Sequence, residues 1–322
     1  MAAMDVDVTK TLSTPTDAAL IKLMHADTPR VLEVMRARLQ LEQLKASPGA
    51  KQRSPEWYKL REGRLTASDL AQSIGKGKFG SRSALVQKKA WPDLAPFYTS
   101  AAMRWGTMCE PVALQCYQAK HDCVGVFEFG LIPHPTMATF GASPDGITDL
   151  GVMVELKCPS RRKIEPGQVP EQYMLQIQGQ LEVCDLEECD YVECNIEHIK
   201  TQAEYEAIDA RDHTHFHGAI VEVRGAEEPF LYSPASAVPD ATTDWVEAAI
   251  QDQDVAGIFY WRLKEINVVR VKRDRAQWAT LAPQIERFWA DVQAARLTEP
   301  PTKKKRALDD EPPISKFAFK DD

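Results

Sequence analysis

The chain has 322 residues, 44% apolar and 27% charged, with a net charge of −8 and seven cysteines. That length buries a substantial core in one large domain or two small ones. No apolar run approaches the roughly 20 residues that cross a bilayer, and the acidic balance excludes a protein that coats nucleic acid over its whole surface.

Residues 1–16 are rich in Thr, Asp and Ala without a period and read as loose. From Thr28 to Ala46 the apolar positions Val31, Val34, Met35, Leu39, Leu41 and Leu44 fit a helix, ended by Ser47-Pro48-Gly49. It shows no chemistry and reads as an extension or packing arm. Ser54-Pro55 caps a second helix through Arg61, and a further helical start follows at Thr66 or Ser68. Hydroxyls and amides at such a start, flanked by Arg61 and Arg64, suit an anion, although on local sequence alone a plain capped helix with a solvated Arg is the better reading. Gly75-Lys76-Gly77-Lys78-Phe79-Gly80 lacks the Gly-Lys-Ser/Thr ending of a nucleotide-binding loop, leaving a phosphate-facing loop or a turn. Residues 51–90 carry ten basic side chains against three acidic ones (Glu56, Glu62, Asp69), and Arg161-Arg162-Lys163 forms a second basic run. Two basic patches in an acidic chain fit a nucleic acid held in a channel, or two solvated faces.

Trp105 to Lys120 reads as a helix with Pro111 near its start. Glu110, Leu114 and Tyr117 share one side of it, so Glu110 faces inward and needs a partner, a metal or a lysine. Val124 to Ile132 alternates like a strand, His134-Pro135 turns, and Met137 to Gly141 returns toward Ser143-Pro144-Asp145-Gly146. In Val152 to Lys157 the residues two apart share a face, so Glu155 and Lys157 project together. The turn residues Asp145-Gly146 and Asp149-Leu150-Gly151 bring Asp145 back beside them. Two carboxylates and an ammonium on one side of a sheet can hold a divalent metal and a water, which is a site for hydrolysis.

Beyond this motif, Glu171 to Leu181 reads as a helix with a packing stripe of Met174, Ile177 and Leu181. Tyr173, Gln176 and Gln180 lie on another face, which its glutamines mark as wet. Cys189 to Glu197 is an alternating strand; Phe230 to Pro234 and Val238-Pro239 read as loops. A short helix is expected over 244–254, one or two strands over 258–271 and a long helix over 273–296. The cysteines contain no C-x-x-C, and no basic-then-apolar leader opens the chain, which suits a reduced intracellular protein. They read as packing residues rather than ligands of an iron-sulfur cluster. His213-x-His215-x-His217 lacks a nearby fourth ligand and is weak as a metal site. Past Pro300-Pro301 the composition turns to a charged, disordered tail. Its Lys303-Lys304-Lys305-Arg306 run is a candidate nuclear-import address or DNA contact, and its aromatic-acidic end a candidate docking peptide.

Taken in order, Arg61…Thr66-Ala67-Ser68, Trp105-Gly106…Glu110, Ser143-Pro144-Asp145-Gly146, Val154-Glu155-Leu156-Lys157-Cys158-Pro159 and Tyr173-Met174-x-Gln176-x-Gln178 resemble the lambda exonuclease and YqaJ-type viral recombinase nucleases of the PD-(D/E)xK superfamily. The resemblance covers residues 54–200; the segment from Ile258 to Arg296 looks like that of the large-DNA-virus branch. It implies an α/β, restriction-endonuclease-like core with a central mixed β-sheet flanked by helices, a helical amino-terminal arm and a carboxy-terminal helix. The expected boundaries are an extension over 1–50, the nuclease domain over 51–300 and the tail over 301–322.

By the same resemblance, Asp145, Glu155 and the Leu156 carbonyl are metal contacts, with Glu110 an additional acid. Lys157 orients or deprotonates the attacking water and steadies developing charge, supported by Gln176. Arg61, Ser68 and Ser143 match the pocket that grips a 5′-phosphate. Oxygen ligands favour Mg²⁺, with Mn²⁺ as substitute. The implied partners are double-stranded DNA ends, a single-strand annealing or DNA-binding protein and two further copies in a trimer, in the host cytoplasm or, given an import signal, the nucleus. The implied activity is 5′→3′ digestion of linear duplex, leaving 3′ single strands for recombination. A structure-specific or nicking endonuclease and a non-catalytic DNA-binding protein are the alternatives. One departure is His134-Pro135, which stands where some members place another acid.

Overall fold

The computed structural model describes residues 28–94, 100–121, 125–208, 216–235 and 239–300. Its framework is a seven-stranded mixed sheet in the order β2-β5-β6-β7-β10-β8-β9, with a small second sheet in the order β1-β4-β3. The large sheet comprises β2 (Val126–Phe127), β5 (Gly146–Thr148), β6 (Met153–Lys157), β7 (Glu188–Ile199), β8 (His217–Val223), β9 (Phe230–Tyr232) and β10 (Val255–Lys272). Within the large sheet, among the described residues, only β6 and β7 run parallel, and the helix joining them, α6 (Glu171–Cys184), supplies the crossover that parallel pairing requires. The small sheet joins β1 (Leu65–Thr66), β3 (Ile132–Pro133) and β4 (Phe140–Ala142).

Alternation along β6 and β7 divides the core. Met153, Cys189 and Tyr191 pack under α6 and the long α9 (Arg275–Arg296). Val154, Leu156, Val192 and Cys194 pack on the other face against α5 (Ala101–His121). The amino-terminal helix α1 (Thr28–Lys45) joins the first of these clusters through Leu41 and Leu44. Its Gln40 amide donates to the Cys184 carbonyl at 2.8 Å, and Arg30 pairs with Glu188 of β7. Gly179 lets α6 lie close to the preceding elements: a Cβ there would meet Phe140 at 3.0 Å and Leu70 at 3.2 Å.

Several expected elements differ, each for a physical reason. The strand expected over Val124–Ile132 is interrupted. The Gly130 amide donates to the Pro48 carbonyl at 2.7 Å, so this backbone satisfies itself on the linker rather than on a neighbouring strand. Residues Phe230–Tyr232, read as a loop, pair with β8 as an edge strand. Helix α8 spans Pro239–Ile250, earlier than expected, and β10 is one continuous strand clamped between β7 and β8. Helix α5 starts at Ala101, where Ser100 Oγ accepts from the Met103 amide at 3.1 Å. Pro111 therefore sits mid-helix rather than near the start. The residues 1–16 and the 301–322 tail lie outside the described residues.

Candidate active site

Strand β6 places Glu155 and Lys157 on its α6-facing side, as their spacing predicts. The Lys157 ammonium bonds the Glu155 carboxylate, and it also donates to the Leu156 carbonyl at 3.1 Å. The turn between β5 and β6 returns the chain through Gly151, which holds φ at 75°, a conformation open to glycine. Asp145, just before β5, thereby reaches across: its Oδ2 accepts the Leu156 amide at 2.8 Å. Burial, and then the neighbouring Glu155, push the Asp145 carboxyl well above its ordinary range. Burial alone would lower the pKa of Lys157, but Glu155 and Asp145 outweigh it and hold the ammonium charged.

The glutamine face of α6 is not wet. Gln176 donates to Glu155 Oε1 at 2.6 Å and Gln180 donates to Oε2 at 2.7 Å, so an amide one helical turn apart holds each oxygen of a fully buried carboxylate. Tyr173, one turn earlier, presents its ring 5.2 Å from the Lys157 ammonium. Glu193 of β7, opposite Lys157 in register, is buried and paired with Arg162, which anchors the basic loop after Pro159. Strand spacing marks Glu193 as sharing a face with Tyr191, but nothing local in the sequence points to Lys157 as its neighbour.

Glu110 is half-buried and pairs with Arg53 rather than with a lysine. Arg53 takes a left-handed backbone with φ of 66°, unusual for a non-glycine residue. Among the described residues no group of three His, Cys, Asp or Glu side chains forms a metal cage. The donors that do converge are the Asp145 and Glu155 carboxylates and the Leu156 carbonyl, all hard oxygens. Mg²⁺ suits such a set because it binds through one or two carboxylates and keeps several waters. The raised Asp145 carboxyl is the matching electrostatic sign, since a cation relieves two crowded carboxylates.

A second cluster adjoins this one. Helix α2 (Pro55–Glu62) is capped by Ser54, whose Oγ accepts the Trp57 amide at 3.2 Å. One turn on, Arg61 lies over the Trp57 ring at 4.1 Å and reaches Thr66 Oγ1 and Ser68 Oγ, each at 3.3 Å. The Trp57 indole N–H donates to Ser143 Oγ at 3.0 Å. Arg61, Ser68 and Ser143 are thus brought together, two residues from Asp145, with Trp57 as the link that sequence reasoning missed. Lys89, also missed, lies beneath: it is 4% exposed and donates to the Arg61 and Arg64 carbonyls at 2.7 Å each.

Residues 56–187 match the family model for the YqaJ-like viral recombinase domain, a span that holds both clusters. This part of the chain is similar to the YqaJ-like viral recombinase domain. It is also similar to the uncharacterized protein R354 of Acanthamoeba polyphaga mimivirus, 22% identical over 302 residues, covering 79% of this chain and 55% of the relative. The chain thus spans about half the length of that relative. Among solved structures, LHK-Exo in complex with dAMP aligns at 24% identity and a TM-score of 0.50, over 76% of this chain and 95% of the other. LHK-Exo is an alkaline exonuclease from Laribacter hongkongensis, and its second structure aligns over the same shares at 24% identity with a TM-score of 0.48. The likeness to LHK-Exo in complex with dAMP shows the fold: a restriction-endonuclease-like core with a curled central sheet flanked by helices.

The remaining candidates fall elsewhere. His134 is a turn cap rather than a site group: its Nδ1 accepts the Thr136 and Met137 amides at 3.2 and 3.0 Å, and its ring stacks on Trp278. His217 is buried against the Tyr205 hydroxyl at 2.7 Å; His213 and His215 lie outside the described residues. The six described cysteines are free and buried; Cys123 lies outside the described residues. The loop from Gly75 to Gly80 is pinned by Gln72, which packs on Gly77 and Gly80 and donates to the Ser81 carbonyl at 2.9 Å. Among the described residues no helix is long and apolar enough to cross a membrane.

Proposed function

We propose that this protein is a metal-dependent deoxyribonuclease, specifically a Mg²⁺-dependent 5′→3′ exonuclease on linear duplex DNA that leaves 3′ single strands for recombination. The observation that carries the reading is the 3.0 Å bond from Trp57 to Ser143. It joins a cationic, hydroxyl-lined cluster, suited to a terminal phosphate, to the loop that delivers Asp145 to Glu155 and Lys157. A phosphate gripped at Arg61, Ser68 and Ser143 places the next phosphodiester beside the carboxylates.

Asp145, Glu155 and the Leu156 carbonyl would hold Mg²⁺ or Mn²⁺, with Glu110 reaching it directly or through water after leaving Arg53. Magnesium, when bound, neutralises a phosphate oxygen and makes a water more acidic. Lys157 spends two of its three N–H donors on Glu155 and Leu156, which leaves one for the attacking water or a phosphoryl oxygen. Its fixed positive charge steadies the negative charge that builds there. Gln176 keeps Glu155 turned toward Lys157. A single-strand annealing protein as partner and a homotrimer around the DNA belong to the same proposal.

The test is digestion of linear duplex bearing 5′-phosphate, linear duplex bearing 5′-hydroxyl and closed circles, each with Mg²⁺ or Ca²⁺. Release of nucleotides from phosphorylated linear ends with Mg²⁺ alone is the expected result. Cutting of closed circles would replace the exonuclease reading with the endonuclease one.

A further inference from the structure

We propose that Gln180 is a positioning residue for the metal-binding carboxylate, the second of two amides that together fix Glu155; this rests on the nuclease reading above. Its amide nitrogen lies 2.7 Å from Glu155 Oε2, while Gln176 and Lys157 both use Oε1. Without Gln180 the carboxylate has donors on one oxygen only and is free to rotate about its terminal bond. With it, both oxygens are held and the carboxylate plane is set before any cation arrives.

Burial makes this contact consequential. Gln180 is 1% exposed and Glu155 fully buried, so water does not replace a lost donor without rearrangement. A carboxylate only accepts, so the amide must turn its nitrogen toward Glu155. That choice leaves Gln180 Oε1 buried with no protein partner among the described residues. A side chain that leaves its own oxygen unpaired to hold a neighbour is arranged for that neighbour. Outer groups that orient a ligating carboxylate tune metal affinity by roughly 10–100-fold.

The experiment compares full-length wild type, Gln180→Met, Gln180→Asn and Gln178→Met. Met keeps the volume without the donor; Asn keeps the amide but shortens its reach. Gln178 is the control for helix damage. It is equally buried on α6, but its amide serves the Lys272 carbonyl and the Asp274 amide at the end of β10. The readouts are melting temperature, the Mg²⁺ and Mn²⁺ concentrations for half-maximal digestion of linear duplex, and direct titration of Mn²⁺ into the protein without DNA.

Both Gln180 variants should need roughly tenfold to a hundredfold more metal in digestion and in direct titration. Gln178→Met should lose melting temperature without moving the metal requirement. Gln180 variants with a wild-type metal requirement would overturn the proposal while leaving the nuclease reading intact. A metal requirement that rises equally in Gln178→Met would overturn it too, by making the effect one of helix stability. Digestion by wild type that persists in chelator would remove the metal reading itself, and this inference with it.

Discussion

Lys157 is bonded to the carboxylate of Glu155, two residues earlier on the same face of β6, so the cation and its acid are fixed by one strand. A two-residue repeat is the tightest spacing that puts two side chains on one face. Replacing Lys157 with Ala should lower the rate on linear duplex by about 10²–10³, the usual cost of deleting one preorganised donor at a site of developing charge. Asp145→Asn should act in the same direction. Initial rates of nucleotide release from 5′-phosphorylated duplex measure both, and wild-type rates in either variant would sink the site assignment.

The parts of this site that lie within one strand or one turn were legible. Alternation gave Glu155 and Lys157, the Ser-Pro pair gave the start of α2, and turn chemistry returned Asp145 to β6. What periodicity does not give is the surface opposite a given face. Gln180 shares a face with Gln176, yet only the packing of α6 on β6 makes that face dry. Trp57 and Ser143 are 86 positions apart, and an indole that bridges them has no local signature. The break in the expected strand over Val124–Ile132 likewise comes from Pro48, far off in sequence.

Trp57→Phe separates the two duties of that indole. The ring under Arg61 is kept and the N–H donor to Ser143 is lost. A net hydrogen bond of about 0.5–1.5 kcal/mol corresponds to roughly 2–10-fold. Digestion of 5′-phosphorylated ends should fall by that factor, while 5′-hydroxyl ends are unaffected. Trp57→Ala, which removes a buried aromatic, should also cost about 3–5 kcal/mol of stability in urea unfolding. An equal fall on both kinds of end in Trp57→Phe would dissociate the indole from phosphate recognition.

The buried thiols make a separate prediction. Burial pushes Cys116 and Cys184 up to about 12, and the thiolate is the nucleophilic form. The native protein should therefore resist iodoacetamide at pH 8 at all six described cysteines, and all of them should alkylate after denaturation. Mass spectrometry of the alkylated peptides reads the outcome; rapid native labelling at Cys116 or Cys184 would contradict their packing.

Lys89 ties stability to pH. Burial pushes its pKa down to about 8 from 10.5, with Asp69 opposing and Arg61 and Lys88 adding. Between those two values the unfolded chain binds more protons than the folded one at this residue, so stability rises with pH across that window. Below pH 8 both states are protonated and the whole burial penalty is present; above 10.5 it is gone. The shift corresponds to about 3–4 kcal/mol at most, since each pKa unit is about 1.4 kcal/mol. Urea unfolding of wild type and Lys89→Met at pH 7.5 and pH 10 isolates the effect, because the other titrating groups cancel between the pair. The wild type should gain on the variant as pH rises. Its two bonds to the Arg61 and Arg64 carbonyls remain the ammonium's reason for being there, so Lys89→Met should also loosen Arg61 and raise the concentration of 5′-phosphorylated ends needed for half-maximal rate. A stability difference that stays constant between the two pH values would show that Lys89 does not titrate in this window.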